Sequence, residues 1–326
     1  MGNRAHLRVS FIIPVRNESA RLRENLRAIR KSEISSGKIQ IVVADNGSTD
    51  DSRSVARNAG ALVLELPGLN VTALRNRAVA EAESEVLAFC DADNMIGPGW
   101  VTTAQELLED PQVAAVGAPY HPPEPPTWVQ RTYDGLREHC PGTRETRWLG
   151  AGNMAVRRSA FVAVGGFDES LTTCEDVDLC NRLRKAGWKL LSDSRLHSVH
   201  LGDPETLQQV FMGELWRGRD NLKVSLRGPL RWQDLPGILF PVANLGFIAA
   251  AVLGALAAPI GGWLVFGLGC GGFCTLSALR SLRILRQSRL IGWRQAHQAF
   301  VVASIYELAR SLALIWRVDH HRNRET

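Results

Sequence analysis

Apolar residues in the first ninety positions come in short runs that stop at polar clusters. Val9, Phe11, Ile12, Ile13 and Val15 form one such run, broken by Pro14 and ended by Arg16-Asn17-Glu18, the pattern of a strand buried on both faces. Leu22, Leu26 and Ile29 follow at helical spacing and predict a helix over 19–30. Ile39, Ile41, Val42 and Val43 predict a strand over 38–44 that runs into Asp45-Asn46-Gly47-Ser48-Thr49-Asp50. A helix over 51–59, a strand over 61–66, a helix over 71–82 and a strand over 85–90 complete the pattern, the last ending at Asp91-Ala92-Asp93. Alternation of this kind predicts an α/β fold with a doubly wound, mainly parallel sheet. Ligands of such sheets bind beyond the carboxyl ends of the strands, where all three polar clusters fall.

Further along, 119–147 is rich in proline and charge and reads as a long loop or a loop holding a short helix. A strand-like patch begins near Trp148 and passes through Gly150, Gly152, Asn153 and Met154. A short helix over 159–164, a turn at Gly165-Gly166-Phe167 and a helix over 174–186 follow, with Glu175, Asp176 and Asp178 in the last helix's first turn.

The pattern then changes. Residues 235–279 contain no charged side chain. As helix, this stretch would measure about 68 Å, enough for two crossings of a ~30 Å hydrocarbon core. Pro259 divides it into expected spans at 235–258 and 259–279, and its many glycines suit closely packed membrane helices. Charge supports the division. The chain is +5 overall, yet the part from Pro229 onward holds ten arginines, no lysine and four acids, leaving 1–228 slightly acidic. Arg280, Arg283, Arg286, Arg289 and Arg294 form a basic loop over 280–296, whereas the turn between the spans is uncharged. By the positive-inside rule, that loop and the N-terminal domain both face the cytoplasm. Residues 297–317 read as an interfacial amphipathic helix rather than a third span, because a third span would export the basic tail 317–324. The expected layout is therefore an N-terminal domain at 1–228 and a multi-pass cell-membrane domain at 229–326. Basic residues that flank apolar segments argue for a membrane partner and against nucleic acid. The six cysteines include no CxxC pair, and no apolar leader precedes Val9, which fits reduced thiols and a domain retained in the cytoplasm.

The acidic clusters suggest chemistry. Asp91 and Asp93, two residues apart after a strand, suit a hard divalent cation, Mg²⁺ or Mn²⁺, that itself holds phosphate oxygens. Asp45 could accept from a base or a ribose hydroxyl, or simply form an Asx turn. Glu175-Asp176 could supply a general base, or only complement the helix dipole. His197 and His200 could touch metal or phosphate, with the surface reading favoured for His197. No GxGxxG or Walker loop follows the first strand, which weighs against a dinucleotide enzyme or an NTPase.

Over residues 7–225, the order and spacing of these motifs resemble the family 2 glycosyltransferases of GT-A fold. The resemblance is carried by residues 10–18, the Asp45 to Asp50 stretch, Arg75-Asn76, Asp91-Ala92-Asp93, Gly152-Asn153-Met154, and Gly165-Gly166-Phe167-Asp168 followed by Glu175-Asp176. It implies a nucleotide-sugar donor, with UDP as the family's commonest carrier. It implies that Pro14, Glu18 and Asp45 hold the nucleoside and that Arg75 contributes to the donor site. Asp91 would contact ribose or metal, and Asp93 the metal, joined by His200 near the diphosphate. Gly152, Asn153 and Met154 would line the acceptor side, and Asp176, with Glu175 beside it, would be the base of an inverting transfer. The family's processive polymer synthases carry QxxRW. Here Gln208-Gln209 and Trp216-Arg217 have the wrong spacing, which implies non-processive transfer. The apolar hairpin points to a lipid-linked acceptor. Two rival readings stand beside this one: nucleotidyl transfer, which also uses paired aspartates, and a non-catalytic sugar-nucleotide-binding membrane scaffold.

Overall fold

The computed structural model describes residues 8–36, 39–227, 235–288 and 291–316. The strand start read at Lys38, Arg289 of the basic loop, the 228/229 boundary and the basic tail 317–324 lie outside them. In chain order the elements begin β1 (Val9–Val15), α1 (Ser19–Ser36), β2 (Ile39–Asp45), α2 (Ser52–Asn58), β3 (Leu62–Glu65), α3 (Val71–Ala80) and β4 (Val86–Cys90). They continue β5 (Asn94–Ile96), α4 (Trp100–Leu107), β6 (Val113–Gly117), α5 (Trp128–Asp134), β7 (Thr143–Glu145), β8 (Asn153–Arg157), α6 (Arg158–Ala163), α7 (Glu175–Lys185), β9 (Lys189–Asp193) and β10 (Ser198–His200). The remainder is helical: α8 (Leu207–Arg217), α9 (Asn221–Arg227), α10 (Leu235–Leu256), α11 (Trp263–Ser288) and α12 (Trp293–Leu312).

By packing, the chain forms two compact units, Met1–Pro123 with His139–Gly202, and Glu124–Glu138 with Asp203–Thr326. The first unit holds a sheet in the order β3-β2-β1-β4-β8-β6-β9-β7. Strands β3, β2, β1 and β4 are parallel, as the alternation predicts. β8 runs antiparallel between β4 and β6. Alternation along β1 sends Phe11, Ile13 and Val15 to one face, against Leu22, Leu26 and Ile29 of α1 and Trp100 of α4. Ile12 goes to the other face, with Leu74 and Ala78 of α3, Phe161 of α6, and Leu179 and Leu183 of α7. A sheet covered on both faces explains why its strands read as near-continuous apolar runs rather than as a strict alternation.

The second unit is helical. α10 and α11 are long and apolar enough to cross a bilayer. α10 ends close to the expected limit, and Gly261 turns the chain with φ 96°. α11, however, runs on to Ser288, nine residues past the limit of 279, so 280–288 of the expected basic loop is helix. The reason is visible at Arg280. This side chain turns inward to Glu307 of α12, which also accepts from the Asn244 side chain of α10 at 2.9 Å. Glu307 and Asn244 are fully buried. Ser277, Ser281 and Ile284 continue the inward face, while Arg283 and Arg286 point outward. α12 also packs on α8 through Ala309 and Leu215, and on α5 through Val302 and Val129.

Candidate active site

Register brings the polar clusters to one edge of the sheet. Val15 pairs with Asp45, and Ile12 with Phe89, so β1, β2 and β4 end almost level. β8 contributes because it is antiparallel. Cys90 pairs with Asn153, which puts the loop before β8, Gly150 to Gly152, where β4 ends.

The first two loops are sewn together. The Ser48 hydroxyl accepts from the Asn17 amide at 3.0 Å, and the Asn17 side chain accepts from the Thr49 amide at 2.8 Å, with Asn17 left-handed at φ 53°. Asp45 is fully buried and accepts from the Ser48 amide at 3.1 Å, with Arg53 Nε at 3.9 Å. Pro14 lies opposite Ala44, half-buried. The Glu18 amide donates to Ser52 at 3.1 Å. Arg21 ties this loop to the aspartate pair, lying 3.2 Å from Glu18 and 4.0 Å from Asp93.

Asp91 and Asp93 face different partners. The two-stranded β5–β10 ladder pairs His200 with Asn94, and this places His200 Nε2 3.5 Å from Asp93 Oδ1. Asp91 Oδ1 accepts from Arg75 Nη2 at 2.7 Å, and Arg75 Nη1 donates to Glu175 at 2.7 Å. Arg75 is only 3% exposed and lies over the Phe167 ring. Burial disfavours its charge, but the two carboxylates outweigh that and hold the guanidinium protonated above the usual arginine range. Asp93 and His200 approach each other as two ligands of one Mg²⁺ or Mn²⁺ ion would, whereas Asp91 Oδ1 is held by Arg75 and does not close on them as a third. The 3.5 Å between Asp93 and His200 is close to the ~3 Å that separates adjacent ligands of an octahedral ion with bonds of about 2.1 Å.

Cys174, left-handed at φ 59°, starts α7 and turns Glu175 and Asp176 into the same region. Loss of water and the neighbouring Glu175 carboxylate push Asp176 up to about 7. The Val177 amide, Arg75 and the Ala151 amide pull the other way. Asp176 is thus tied to the loop before β8, whose Gly152 also abuts Asp91: a Cβ there would lie 2.6 Å from Asp91 Oδ2.

Two expected acceptor-side residues turn inward. Asn153 is 1% exposed, accepts from Trp100 Nε1 at 2.7 Å and donates to the Ala118 and Leu196 carbonyls at 3.0 and 2.9 Å. Met154 is fully buried. Of the three residues, only Gly152 borders the carboxylates. His197 is exposed and stacks on His121, away from this cluster of bonds.

Sequence reasoning missed Tyr120 and Arg21. Tyr120 stacks on His200 with centroids 5.2 Å apart, and its hydroxyl occupies the space a side chain at Gly150 would take. Its ring edge is 3.3 Å from the Cβ position of Gly152. The paired glycines at 150 and 152 were the available signal, because they mark a close approach whose partner the sequence does not name.

Residues 10–164 match the family model of Glycosyl transferase family 2. The chain is similar to Succinoglycan biosynthesis protein ExoA of Rhizobium meliloti (strain 1021), 28% identical over 281 residues that cover 80% of this chain and 84% of that one. It is also similar to N-acetylglucosaminyl-diphospho-decaprenol L-rhamnosyltransferase of Mycobacterium tuberculosis (strain ATCC 25618 / H37Rv), 28% identical over 253 residues, 60% of this chain and 79% of that one. Among solved structures it resembles mannosyltransferase PcManGT from Pyrobaculum calidifontis in complex with GDP-Man and Mn²⁺. The TM-score is 0.64 at 17% identity, covering 96% of this chain and 88% of that one, a likeness of fold.

Proposed function

We infer, from a chain that carries a family 2 glycosyltransferase domain of GT-A fold together with two apolar C-terminal helices, a membrane-anchored enzyme that transfers one sugar with inversion from a nucleoside-diphosphate sugar to a lipid-linked acceptor. One observation carries this reading: Arg75 binds Asp91 and Glu175 at once, so the donor-side and base-side carboxylates belong to a single cluster.

Within that cluster Asp176 is the base. A carboxyl group held near 7 is a stronger base than an ordinary aspartate, yet remains partly ionised at neutral pH. It takes the proton from the acceptor hydroxyl as that oxygen attacks the anomeric carbon, and the nucleoside diphosphate departs from the opposite face. The Val177 and Ala151 amides fix its position, and Arg75 holds the neighbouring Glu175. Asp93 and His200 would hold the divalent cation, Mg²⁺ or Mn²⁺, which when bound neutralises charge on the leaving diphosphate. Pro14, Glu18 and Asp45 hold the nucleoside, uridine in our reading, and Gly152 borders the acceptor. Inverting attack requires both substrates in line, and the shared edge of β1, β2, β4 and β8 supports this.

The acceptor class rests on two supports. The relatives named above include a rhamnosyltransferase of a decaprenol-linked substrate, and this chain pairs its transfer domain with an apolar hairpin. We assign transfer to residues 1–228 and anchoring to 229–326, with the catalytic domain on the cytoplasmic side of the cell membrane. The test is a screen of nucleotide sugars for release of nucleoside diphosphate by the detergent-purified chain, with polyprenyl-phosphate-linked and soluble sugar acceptors in separate arms. Transfer only to the lipid-linked arm supports the reading. Release of pyrophosphate would indicate nucleotidyl transfer instead.

A further inference from the structure

The arginines of the second unit do two different things. Arg280 faces Glu307, and Tyr306 lies 4.3 Å from its guanidinium carbon. It is a structural residue. Arg283, Arg286 and Arg294 are exposed, and between them stand Ile291 and Trp293, 92% and 82% exposed. We propose that the exposed Arg283 and Arg286 of α11 and Arg294 of α12, with Ile291 and Trp293, form a binding surface for anionic phospholipid headgroups. The proposal rests on reading α10 and α11 as bilayer-embedded.

Three observations carry it. First, the charge is one-sided: from residue 235 to residue 306 there is no acid, so these arginines have no carboxylate in their own stretch of chain. A run of exposed cations with no acid in its own stretch of chain is complementary to a phosphate-rich leaflet. Second, the depth is right. From Trp263, exposed at the start of α11, to Arg283 is twenty residues, about 30 Å of helix, the thickness of a hydrocarbon core. Arg283 and Arg286 then fall at headgroup level when Trp263 marks the opposite boundary. Third, the residue types suit an interface. Trp293 is an aromatic of the kind that settles at headgroup level, Ile291 adds an exposed apolar side chain beside it, and the flanking guanidinium groups bind phosphate oxygens. The opposite end of the hairpin has exposed Ile260, Trp263 and Leu264 but no charge, so the preference is confined to one leaflet.

The test uses the full chain in detergent micelles doped with equal amounts of phosphatidylglycerol and phosphatidylcholine. Retained lipid is counted by native mass spectrometry. The native chain is expected to retain phosphatidylglycerol over phosphatidylcholine by about tenfold or more, at roughly fivefold per engaged arginine, and to lose the preference in high salt. Arg283→Gln, Arg286→Gln and Arg294→Gln together are expected to bring the ratio near one while leaving helical circular dichroism intact. Equal retention by the native chain, or an unchanged preference in the triple variant, overturns the proposal. Failure of the underlying membrane reading is distinct: the chain would then stay monodisperse without detergent.

Discussion

Arg75 Nη1 donates to Glu175 Oε1 at 2.7 Å from a site almost closed to water. Its other arm holds Asp91, so removing the guanidinium leaves two carboxylates facing each other across a vacant position. Arg75→Met is expected to destabilise the domain by about 3–5 kcal/mol, the range for breaking a buried ion pair. Arg75→Lys keeps the charge but loses the two-armed geometry, and is expected to recover only part of that loss. Thermal unfolding of both variants checks this.

Asp176 gives the activity a pH signature. Its folded pKa, about 7, lies above the ordinary aspartate value of 3.8. The folded state therefore binds more protons than the unfolded state between these values, and the contribution of Asp176 to stability falls as pH rises through that window. Asp176→Asn is expected to match the native protein below pH 4 and to exceed it above pH 7, by a margin on the order of 4 kcal/mol. Denaturant midpoints across this pH range measure the difference. Native kcat/KM is expected to rise with pH through the same pKa.

Gly202 lies so close to Asp93 that any Cβ would collide with the carboxylate. Gly202→Ala is expected to displace Asp93 from His200 and to weaken Mn²⁺ binding by about tenfold or more, the range for disturbing the support of a metal ligand. Calorimetric titration of the purified variant with Mn²⁺ reads this directly, and unchanged affinity would remove Asp93 from the metal site.

Glu307 is buried among α10, α11 and α12. Arg280→Met alone strands that carboxylate, with an expected loss of about 3–5 kcal/mol. The double change Arg280→Met with Glu307→Leu is expected to lose less than the single one, because no unpaired charge remains. Unfolding in detergent compares the two.

Much of the first unit was legible because both faces of its sheet are covered. The strands ending at Val15, Asp45 and Cys90 are mostly apolar and stop at polar clusters, and the sequence marks both facts. β8 was not legible as antiparallel, since strand direction leaves no trace in periodicity. That direction puts Gly150 to Gly152 beside Asp91. Asn153 and Met154 alternate into the core from the same strand, so adjacency to Gly152 in sequence did not mean adjacency to the cleft. The end of α11 was placed too early for a related reason. Arg280 reads as the edge of an apolar span, yet its partner Glu307 is twenty-seven residues away, and only the fold supplies it.

The most direct test of the account compares donor binding and sugar transfer in Asp93→Asn and Asp176→Asn with Mn²⁺ present, using whichever nucleotide sugar the native chain turns over. The account predicts that Asp93→Asn loses metal-dependent donor binding. It predicts that Asp176→Asn still binds donor and transfers about 10²–10⁴-fold more slowly, the usual effect of losing a general base. Native transfer rates in Asp176→Asn, or metal-dependent donor binding undiminished in Asp93→Asn, would contradict it.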